Sequence, residues 1–447
     1  MWRFALRAGS RNEGHMLRKI LVIGVTTILA SSLGAGTRLA AKATAASFSV
    51  ASYGAKGNGT ADNTAAFAAA IAAAEAAGGG TVYVPAGTYA FTANSGHLGG
   101  SGASIQLLGT APVELLGASA GTSKLVEHVS HQTLVMVGSD GSSVEDLTLN
   151  AQSYLGGYAL MVRANNTLLE GADVLGADIT TTGSGQVPGG PPFALYYAGP
   201  LAAEPATPAY NTGNQLLDDD VEDGVNNDGF SFSFQEDASI SHINYFGSRL
   251  ALYVDKDVKI DDYDFTPNPA CGEAAQGFWI TPPSSDITIS NFTTSGAGGV
   301  VSGSTSGPYM ATDIKITDET FTSATGGFLE IGNVDGLTLT NTDFNTGNFL
   351  MVNPETTASG IVVTGPNVPG IEFATNHGKP YRSVAMELKD VSFPSFSLAG
   401  KPVATFREFG AGPTAVTVDG GSWSNLDGGF NSGTNATFTV LDSPTIK

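Results

Sequence analysis

The chain has 447 residues, with 41 acidic against 20 basic side chains, a net charge of −21 and one cysteine, Cys271. So large an excess of acid excludes nonspecific binding to nucleic acid. A single cysteine excludes an internal disulfide and a zinc site built from several thiolates.

The N-terminal segment has the order of charges typical of an exported protein. Arg18 and Lys19 precede an uncharged, mostly apolar run over 20–37, and an Ala-x-Ala site follows at Ala45. We therefore predict a signal peptide with an upstream extension over residues 1–46. The alternative is an uncleaved anchor, because the run of 18 residues reaches the lower limit for crossing a bilayer.

Cleavage would leave 13 basic and 40 acidic side chains, a net charge near −27. We expect a secreted, extracellular or periplasmic protein with no nucleic-acid partner and no stable membrane association once the signal peptide is removed.

The next segment, 48–91, predicts a helix followed by two strands. Residues 61–77 are almost all alanine, the best helix former, and Phe67 and Ile71 give the helix one apolar ridge. Three glycines at 78–80 end the helix, and the sequence TVYVPAGTYAF then alternates around a turn. We expect this helix to cover the open end of a stack of β-coils, where unpaired strand edges need protection.

The same segment resembles the N-terminal region shared by rhamnogalacturonases, polygalacturonases, certain glucanases, epimerases and phage depolymerases of the pectate-lyase superfamily. The resemblance rests on the Gly-rich turn, the cap, the alanine helix, the Gly run and the sequence VYVPAGTY. Asn58 and Asn63 stand where the family usually carries aspartate, at turn and capping positions.

The resemblance implies an all-β fold, a single-stranded right-handed parallel β-helix of the pectin-lyase type with a short N-terminal capping helix. The β-helix domain would span 47–447. Within it, 47–95 would be the cap and first coil, and 361–447 would be less regular C-terminal coils.

Short strands recur along the rest of the chain at steps of 23 to 29 residues. They begin at Asp257, Asp286, Asp313 and Gly336. A repeat of this size without helices predicts one β-helix coil per repeat. Asp237 and the three later aspartates would then occupy the same turn of successive coils, and Glu236 and Lys256 would be stacked as an exposed ion pair.

A second set of alternating strands predicts an aromatic surface that faces outward. In our alignment one outward column holds Met161, Tyr196, Ser233, Tyr253 and Thr281, and its neighbour includes Trp279. Pyranose rings stack on such aromatic faces, so Tyr196, Tyr253 and Trp279 are predicted substrate-binding residues. The alternative is that long connections at 180–192, 199–213 and 266–276 fold over them.

The sequence NNDGFSFS at 226–233 carries the strongest candidate for chemistry. It resembles the polygalacturonase motif in which Asn-Thr-Asp-Gly precedes such a strand and the aspartate is catalytic. The resemblance implies that Asp228 is catalytic and that Asn226 lies at the substrate. The alternative is an ordinary Asn-Asp-Gly turn.

The following coils depart from that family. Gly247-Ser248-Arg249 stands where an Asp-Asp pair is expected, and Ala275-Gln276-Gly277 stands where Gly-His-Gly is expected. The later Arg-x-Lys is absent. The chain is therefore not an ordinary polygalacturonase.

Hydrolysis of a glycosidic bond needs a second carboxyl group. The nearest candidates are Asp223 and Glu222, in the same loop as Asp228, and Glu273, in the long loop two coils on. Arg249, one coil away, would form an ion pair with Asp228, serve an elimination, or hold a substrate carboxylate.

The acidic run LLDDDVED at 216–223 has the composition of a calcium site. Alternate residues of a strand face opposite sides, however, so the run overstates the ligands available at one point. We predict no cofactor, with Ca²⁺ as the alternative.

The predicted function is that of an extracellular enzyme that cleaves a pectin-like or other microbial or plant polysaccharide. A glycoside hydrolase with carboxylate acid/base chemistry is the first hypothesis. The alternatives are a lyase that acts by β-elimination on a uronate-containing glycan, and a non-catalytic glycan-binding surface protein.

Overall fold

The computed structural model describes residues 46–93, 102–130, 132–151, 157–178, 193–199, 209–224, 228–274, 276–301, 309–321, 328–344, 349–365, 370–374, 381–393, 397–398, 401–402, 406–409, 412–423, 436–442 and 445–446. All of them lie in one compact unit that runs from Ala45 to Lys447. Except for Ala46, the predicted signal peptide falls outside these residues, and it stays a prediction. No helix among the described residues is long and apolar enough to cross a membrane.

The fold is a parallel β-helix, as the sequence predicts. Almost every strand pairs in parallel with the equivalent strand of the next coil, and the strands form two long sheets. Ile260 pairs with Ile289, which pairs with Ile316, which pairs with Leu339, at steps of 29, 27 and 23 residues. The predicted repeat is therefore the coil of the β-helix.

The smaller sheet, called sheet 1, carries the candidate site. Its twelve strands are, in coil order, Ala103–Leu107, Thr133–Val137, Leu160–Val162, Leu195–Tyr197, Phe230–Ser233, Leu250–Tyr253, Gln276–Thr281, Ala297–Val301, Phe328–Ile331, Phe349–Val352, Ile371–Ala374 and Phe406–Phe409.

The larger sheet, called sheet 2, covers the rest of each coil. Its 23 strands are Ser47–Ser49, Asn58–Asp62, Gly80–Val84, Gly87–Phe91, Val113–Gly117, Ser123–Glu127, Ser143–Glu145, Thr148–Asn150, Leu168–Glu170, Asp173–Asp178, Gln215–Leu217, Asp220–Gly224, Ser239–Gly247, Lys259–Pro267, Thr288–Thr294, Ala311–Thr317, Thr320–Phe321, Val334–Thr340, Asp343–Phe344, Thr357–Thr364, Ser383–Lys389, Thr414–Asp419 and Ala436–Asp442.

Short strands complete the description. Asn211–Thr212 pairs with Gln235–Glu236, and Ser392–Phe393, Ser422–Trp423 and Thr445–Ile446 form a three-stranded sheet. Ser397–Leu398 and Lys401–Pro402 form an antiparallel pair. Among the described residues, two 3₁₀ helices span Val50–Tyr53 and Pro269–Ala274.

The α-helix α1, Thr64–Ala76, begins three residues later than the alanine run because Asn58–Asp62 forms a strand. Phe67 and Ile71 are buried in the core, so α1 packs against the first coils as predicted. Phe67 contacts the rings of Tyr89 and Phe91 edge-on, at centroid distances of 5.6 and 5.1 Å. The glycines at 78–80 have positive φ, which closes the helix.

The core is a stack of apolar residues that point inward from both sheets. In sheet 1, Leu195, Phe230, Leu250 and Phe278 lie in one inward column. At the turns, Asp237, Asp257, Asp286 and Asp313 all have φ between 52° and 56°. This left-handed conformation suits Asp and Asn, so these aspartates are repeated turn residues, as predicted.

Candidate functional site

The outward columns of sheet 1 differ from the sequence alignment by two residues at one step, between the strands Leu195–Tyr197 and Phe230–Ser233. Tyr196 pairs with Ser231, which pairs with Ala251, which pairs with Trp279. Tyr196 therefore shares its column with Trp279 and not with Tyr253. A slip of two residues leaves every side chain on its expected face, so the alternating pattern could not reveal it.

Asp228 lies at the centre of a compact polar cluster on this outer face. It directly precedes Gly229 and the strand Phe230–Ser233, and its side chain is only 4% exposed. Arg249 donates from Nε to Oδ1 of Asp228, and the Tyr253 hydroxyl donates to Oδ2. The structure thus brings together three of the predicted site residues, from two successive coils.

Trp279, from the next coil, completes the cluster. The guanidinium carbon of Arg249 lies 4.4 Å from the centroid of the Trp279 ring, a cation–π contact that holds the guanidinium plane. Arg249 also forms a hydrogen bond with Tyr253. We call Asp228, Arg249, Tyr253 and Trp279 the Asp228 cluster.

The hydroxyl of Tyr253 is protonated across the neutral pH range. Burial raises the pKa of Tyr253 well above its usual value, and the charge of Asp228 raises it further. Tyr253 therefore supplies a hydrogen-bond donor to the carboxylate. The next residue, Val254, has φ of 59°, an unusual left-handed conformation for a β-branched residue.

Tyr196 lies apart from the Asp228 cluster. Three strand spacings separate it from Trp279, about 14 Å at the usual distance between strands. Its ring stacks on Phe193 at 4.9 Å and contacts Tyr158 at 5.4 Å. Tyr196 is half-buried there, so it belongs to a separate aromatic cluster on the same face.

Asp223 points to the interior and not to the outer face. It is 1% exposed, and Oδ2 accepts a hydrogen bond from the Tyr245 hydroxyl, while the sulfur of Cys271 lies 3.8 Å from Oδ1. Because Asp223 lies inside the coil, it is not placed to touch a substrate beside Asp228. The neighbouring Glu222 is half-buried on the opposite side of the same strand.

Two predicted site residues cannot be placed. Asn226 belongs to the stretch 225–227, which is outside the described residues. The backbone of Glu273 belongs to the 3₁₀ helix Pro269–Ala274, directly before the strand that carries Trp279, but its side chain is outside the described part. Their roles stay predictions.

The acidic run at 216–223 is spread over several directions, as strand alternation predicts. Asp218 is a left-handed turn residue, Asp219 is buried, and Asp220 accepts a hydrogen bond from Asn244. Within the described residues no group of three or more His, Cys, Asp or Glu side chains could hold a metal ion. Lys256 Nζ lies 2.5 Å from Glu236 Oε1, so the predicted ion pair is confirmed.

Sequence reasoning missed the residues that lie behind the Asp228 cluster. Tyr245 and Ser248 are buried, and the Tyr245 oxygen lies 3.2 Å from the Ser248 amide nitrogen. Inward tyrosines look like other core aromatics in a sequence. The one usable signal in the sequence was a pair of glycines that leave room for another side chain. Gly229 directly follows Asp228, and Gly247 lies two residues before Arg249.

Comparisons with known proteins agree with this architecture. Residues 47–182 match the family described as rhamnogalacturonase A/epimerase, pectate lyase-like. The mannuronan C5-epimerase AlgE3 of Azotobacter vinelandii is 64% identical over 42 residues, which are 9% of this chain and 2% of that protein. The match therefore spans a very small part of that relative.

Two solved structures cover most of the chain. The A-module of the mannuronan C-5 epimerase AlgE4 of Azotobacter vinelandii has a TM-score of 0.54 at 17% identity and covers 89% of this chain and 99% of its own. The catalytic unit of a GH87 α-1,3-glucanase from Streptomyces thermodiastaticus has a TM-score of 0.51 at 17% identity, with 93% and 70% covered. At such identities the likeness concerns the fold, so this chain has a right-handed parallel β-helix whose residues 47–182 match the rhamnogalacturonase A/epimerase, pectate lyase-like family.

Proposed function

We propose that the protein is a secreted carbohydrate-active enzyme that hydrolyses glycosidic bonds of a polysaccharide at Asp228. The observation that carries the proposal is the Asp228 cluster, which places one carboxylate, one guanidinium, one phenol and one indole together on the outer face of sheet 1. A carboxylate beside an aromatic face combines a catalytic group with a sugar-stacking surface.

In this proposal Asp228 acts as the general base. The Arg249 guanidinium stabilises the negative charge of the carboxylate and fixes one of its oxygens. Asp228 takes a proton from water as the water oxygen bonds to the anomeric carbon. The bond to the leaving sugar oxygen then breaks, and that oxygen needs a proton from a second group.

Glu273 is the proposed proton donor, since its backbone lies directly before the Trp279 strand. Tyr253 is less suited, because its raised pKa makes the phenol a weak acid. Its proposed role is to orient Asp228, and the ring of Trp279 is the proposed sugar-binding face. No cofactor is proposed.

β-Elimination on a uronate glycan is the second candidate. It is favoured by the meeting of a cation, Arg249, and a hydroxyl, Tyr253, at the same carboxylate. Arg249 would neutralise the substrate carboxylate while a base removes the proton from the carbon beside it. The electron pair of that C–H bond forms a C=C bond as the C–O bond to the leaving sugar breaks, and the leaving oxygen takes up a proton. The net charge of −21 opposes a polyanionic substrate, and for this reason hydrolysis comes first.

The deciding experiment is a screen of the wild type and of Asp228→Asn against pectins, alginate, glucans and bacterial exopolysaccharides. New reducing ends without ultraviolet absorbance indicate hydrolysis, and absorbance from a new double bond indicates elimination. Asp237→Asn is the matched control, because Asp237 is a left-handed turn residue of the same coil, directly after the strand Gln235–Glu236, and Asn suits that conformation.

We expect Asp228→Asn to lose turnover by about 10²-fold or more while it retains binding, as for removal of a general base. Asp237→Asn should match the wild type. Unchanged turnover in Asp228→Asn would refute the assignment. Binding without turnover in the wild type would favour a non-catalytic glycan-binding protein.

A further inference from the structure

We propose that Asp223 and Tyr245 are positioning residues. Together they form a buried hydrogen-bonded pair, which we call the strut, that fixes the position of Arg249 relative to Asp228. This inference rests on the proposed function of the Asp228 cluster and gives Asp223 a role different from that of a catalytic acid.

The strut begins at the Tyr245 hydroxyl. Its single proton goes to Asp223, which is the closest of its contacts. The phenol oxygen then accepts hydrogen bonds from Ser248, whose amide nitrogen lies 3.2 Å away and whose Oγ lies 3.3 Å away. The carbonyl oxygen of Arg249 lies 3.3 Å from the same phenol oxygen. Tyr245 therefore bonds the main chain at Ser248, the residue directly before Arg249, and contacts the carbonyl of Arg249 itself.

Asp223 also lies directly behind the chain that carries Asp228. A Cβ built on Gly229 would lie 1.8 Å from Asp223 Oδ2, and a Cβ built on Gly247 would lie 2.3 Å from the same atom. Only glycine at both positions leaves room for the carboxyl group. The carboxyl of Asp223 thus lies between Gly229, the residue directly after Asp228, and Gly247, two residues before Arg249.

The strut is itself anchored from a third coil. Asn268 Nδ2 donates to the main-chain oxygen of Asp223 at 2.6 Å, and Cys271 packs against its carboxyl group. Burial and the charge of Asp223 raise the pKa of Tyr245 well above its usual value, so the phenol keeps its proton. The relative position of Asp228 and Arg249 is therefore set by an interior network that never meets the substrate.

The test compares Tyr245→Phe, Asp223→Ala and the conservative Asp223→Asn, which keeps an oxygen that can accept from Tyr245. Tyr89→Phe is the matched control, since this buried tyrosine donates to the Pro85 oxygen at 3.0 Å in the first coils. Ser248→Ala is a smaller change that carries the test if Tyr245→Phe does not fold.

Two readouts are needed. The first is the near-ultraviolet circular dichroism of Trp279, identified by difference from Trp279→Phe. It reports the stacked Arg249 whether or not the protein turns over a substrate. The second is kcat and KM on a polysaccharide found by the screen.

We expect Tyr245→Phe, Asp223→Ala and Ser248→Ala to change the circular dichroism signal of Trp279. Tyr245→Phe and Asp223→Ala should also lower kcat about tenfold or more with KM within about twofold, as for a misplaced reacting group. Asp223→Asn and Tyr89→Phe should retain both. A Trp279 signal and kcat in Tyr245→Phe that match those of Tyr89→Phe would overturn the proposal, and so would a Trp279 signal in Ser248→Ala that matches that of Tyr89→Phe. If Asp228→Asn itself leaves turnover unchanged, the proposed function fails, and the Trp279 signal still decides whether the strut holds Arg249.

Discussion

Glu319 gives the chain a built-in dependence of stability on pH. Its side chain is fully buried, and among the described residues neither carboxyl oxygen has a hydrogen-bond partner. It follows the left-handed Asp318, so it points into the core, where a Cβ on Gly298 would lie 2.9 Å from Oε1. Burial raises the pKa of Glu319 from 4.5 to about 8.

The sign and the size of the effect follow from this raised pKa. Between pH 4.5 and 8 the folded chain keeps a proton on Glu319 that the unfolded chain releases. Stability is therefore fully present below pH 4.5 and is lost as the pH rises. With about 1.4 kcal/mol per pKa unit, the loss is about 3 kcal/mol at pH 7 and about 5 kcal/mol well above pH 8.

Urea unfolding of the wild type and of Glu319→Gln over this pH range measures the effect. The amide has nearly the same shape and cannot ionise, so the two proteins should have similar free energies of unfolding at pH 4. The variant should then become more stable by about 3 kcal/mol at pH 7. Glu145→Gln, at a half-buried carboxyl of another coil, is the control for the loss of one acid.

The difference between Glu319→Gln and the wild type is the decisive quantity, because other buried carboxyls titrate in both proteins and cancel. A difference that stays constant from pH 4 to pH 8 would refute the reasoning, since it would mean that the carboxyl is solvated or paired in solution.

Three further results are expected. Phe67→Ala should lower the free energy of urea unfolding by about 3–5 kcal/mol, because it empties a fully buried site under the helix α1; a loss below 1 kcal/mol would mean that the helix is not packed on the coils. Arg249→Lys should lower kcat/KM about tenfold or more in the polysaccharide assay, because an ammonium group cannot both bond Asp228 through Nε and stack on Trp279; activity equal to that of the wild type would show that only the charge matters. Val254→Asn should raise the free energy of unfolding by about 1 kcal/mol, since asparagine tolerates the left-handed conformation; a loss of stability would show that the packing of the valine outweighs its backbone strain.

The fold could be predicted from the sequence because the residues that indicate it act on their own local conformation. The alanine helix, the glycines at 78–80 and the aspartates at repeated turns each determine their own conformation. Register between coils is a weaker signal, since a shift of two residues between the strands Leu195–Tyr197 and Phe230–Ser233 leaves the inward and outward faces unchanged. The alignment therefore placed Tyr196 in the column of Tyr253, although it lies in the column of Trp279.

The candidate site was predictable only in part. Asp228 and Arg249 lie on neighbouring coils, so their contact follows from parallel stacking. The position of Asp223 could not be read in the same way, because an acidic residue in an alternating strand is expected to face solvent. Its burial depends on a tyrosine 22 residues later and on two glycines that make room for it.

The Asp228 cluster is drawn from three consecutive coils, with Asp228 on the first, Arg249 and Tyr253 on the second, and Trp279 on the third. In a solenoid each coil contacts only its neighbours, so stability is close to a sum of local contributions. The geometry of the cluster is then a property of a three-coil module. Whole coils could be gained or lost towards either end of the stack during evolution, and the loops at the rim could lengthen, while the distances among these four side chains stayed the same.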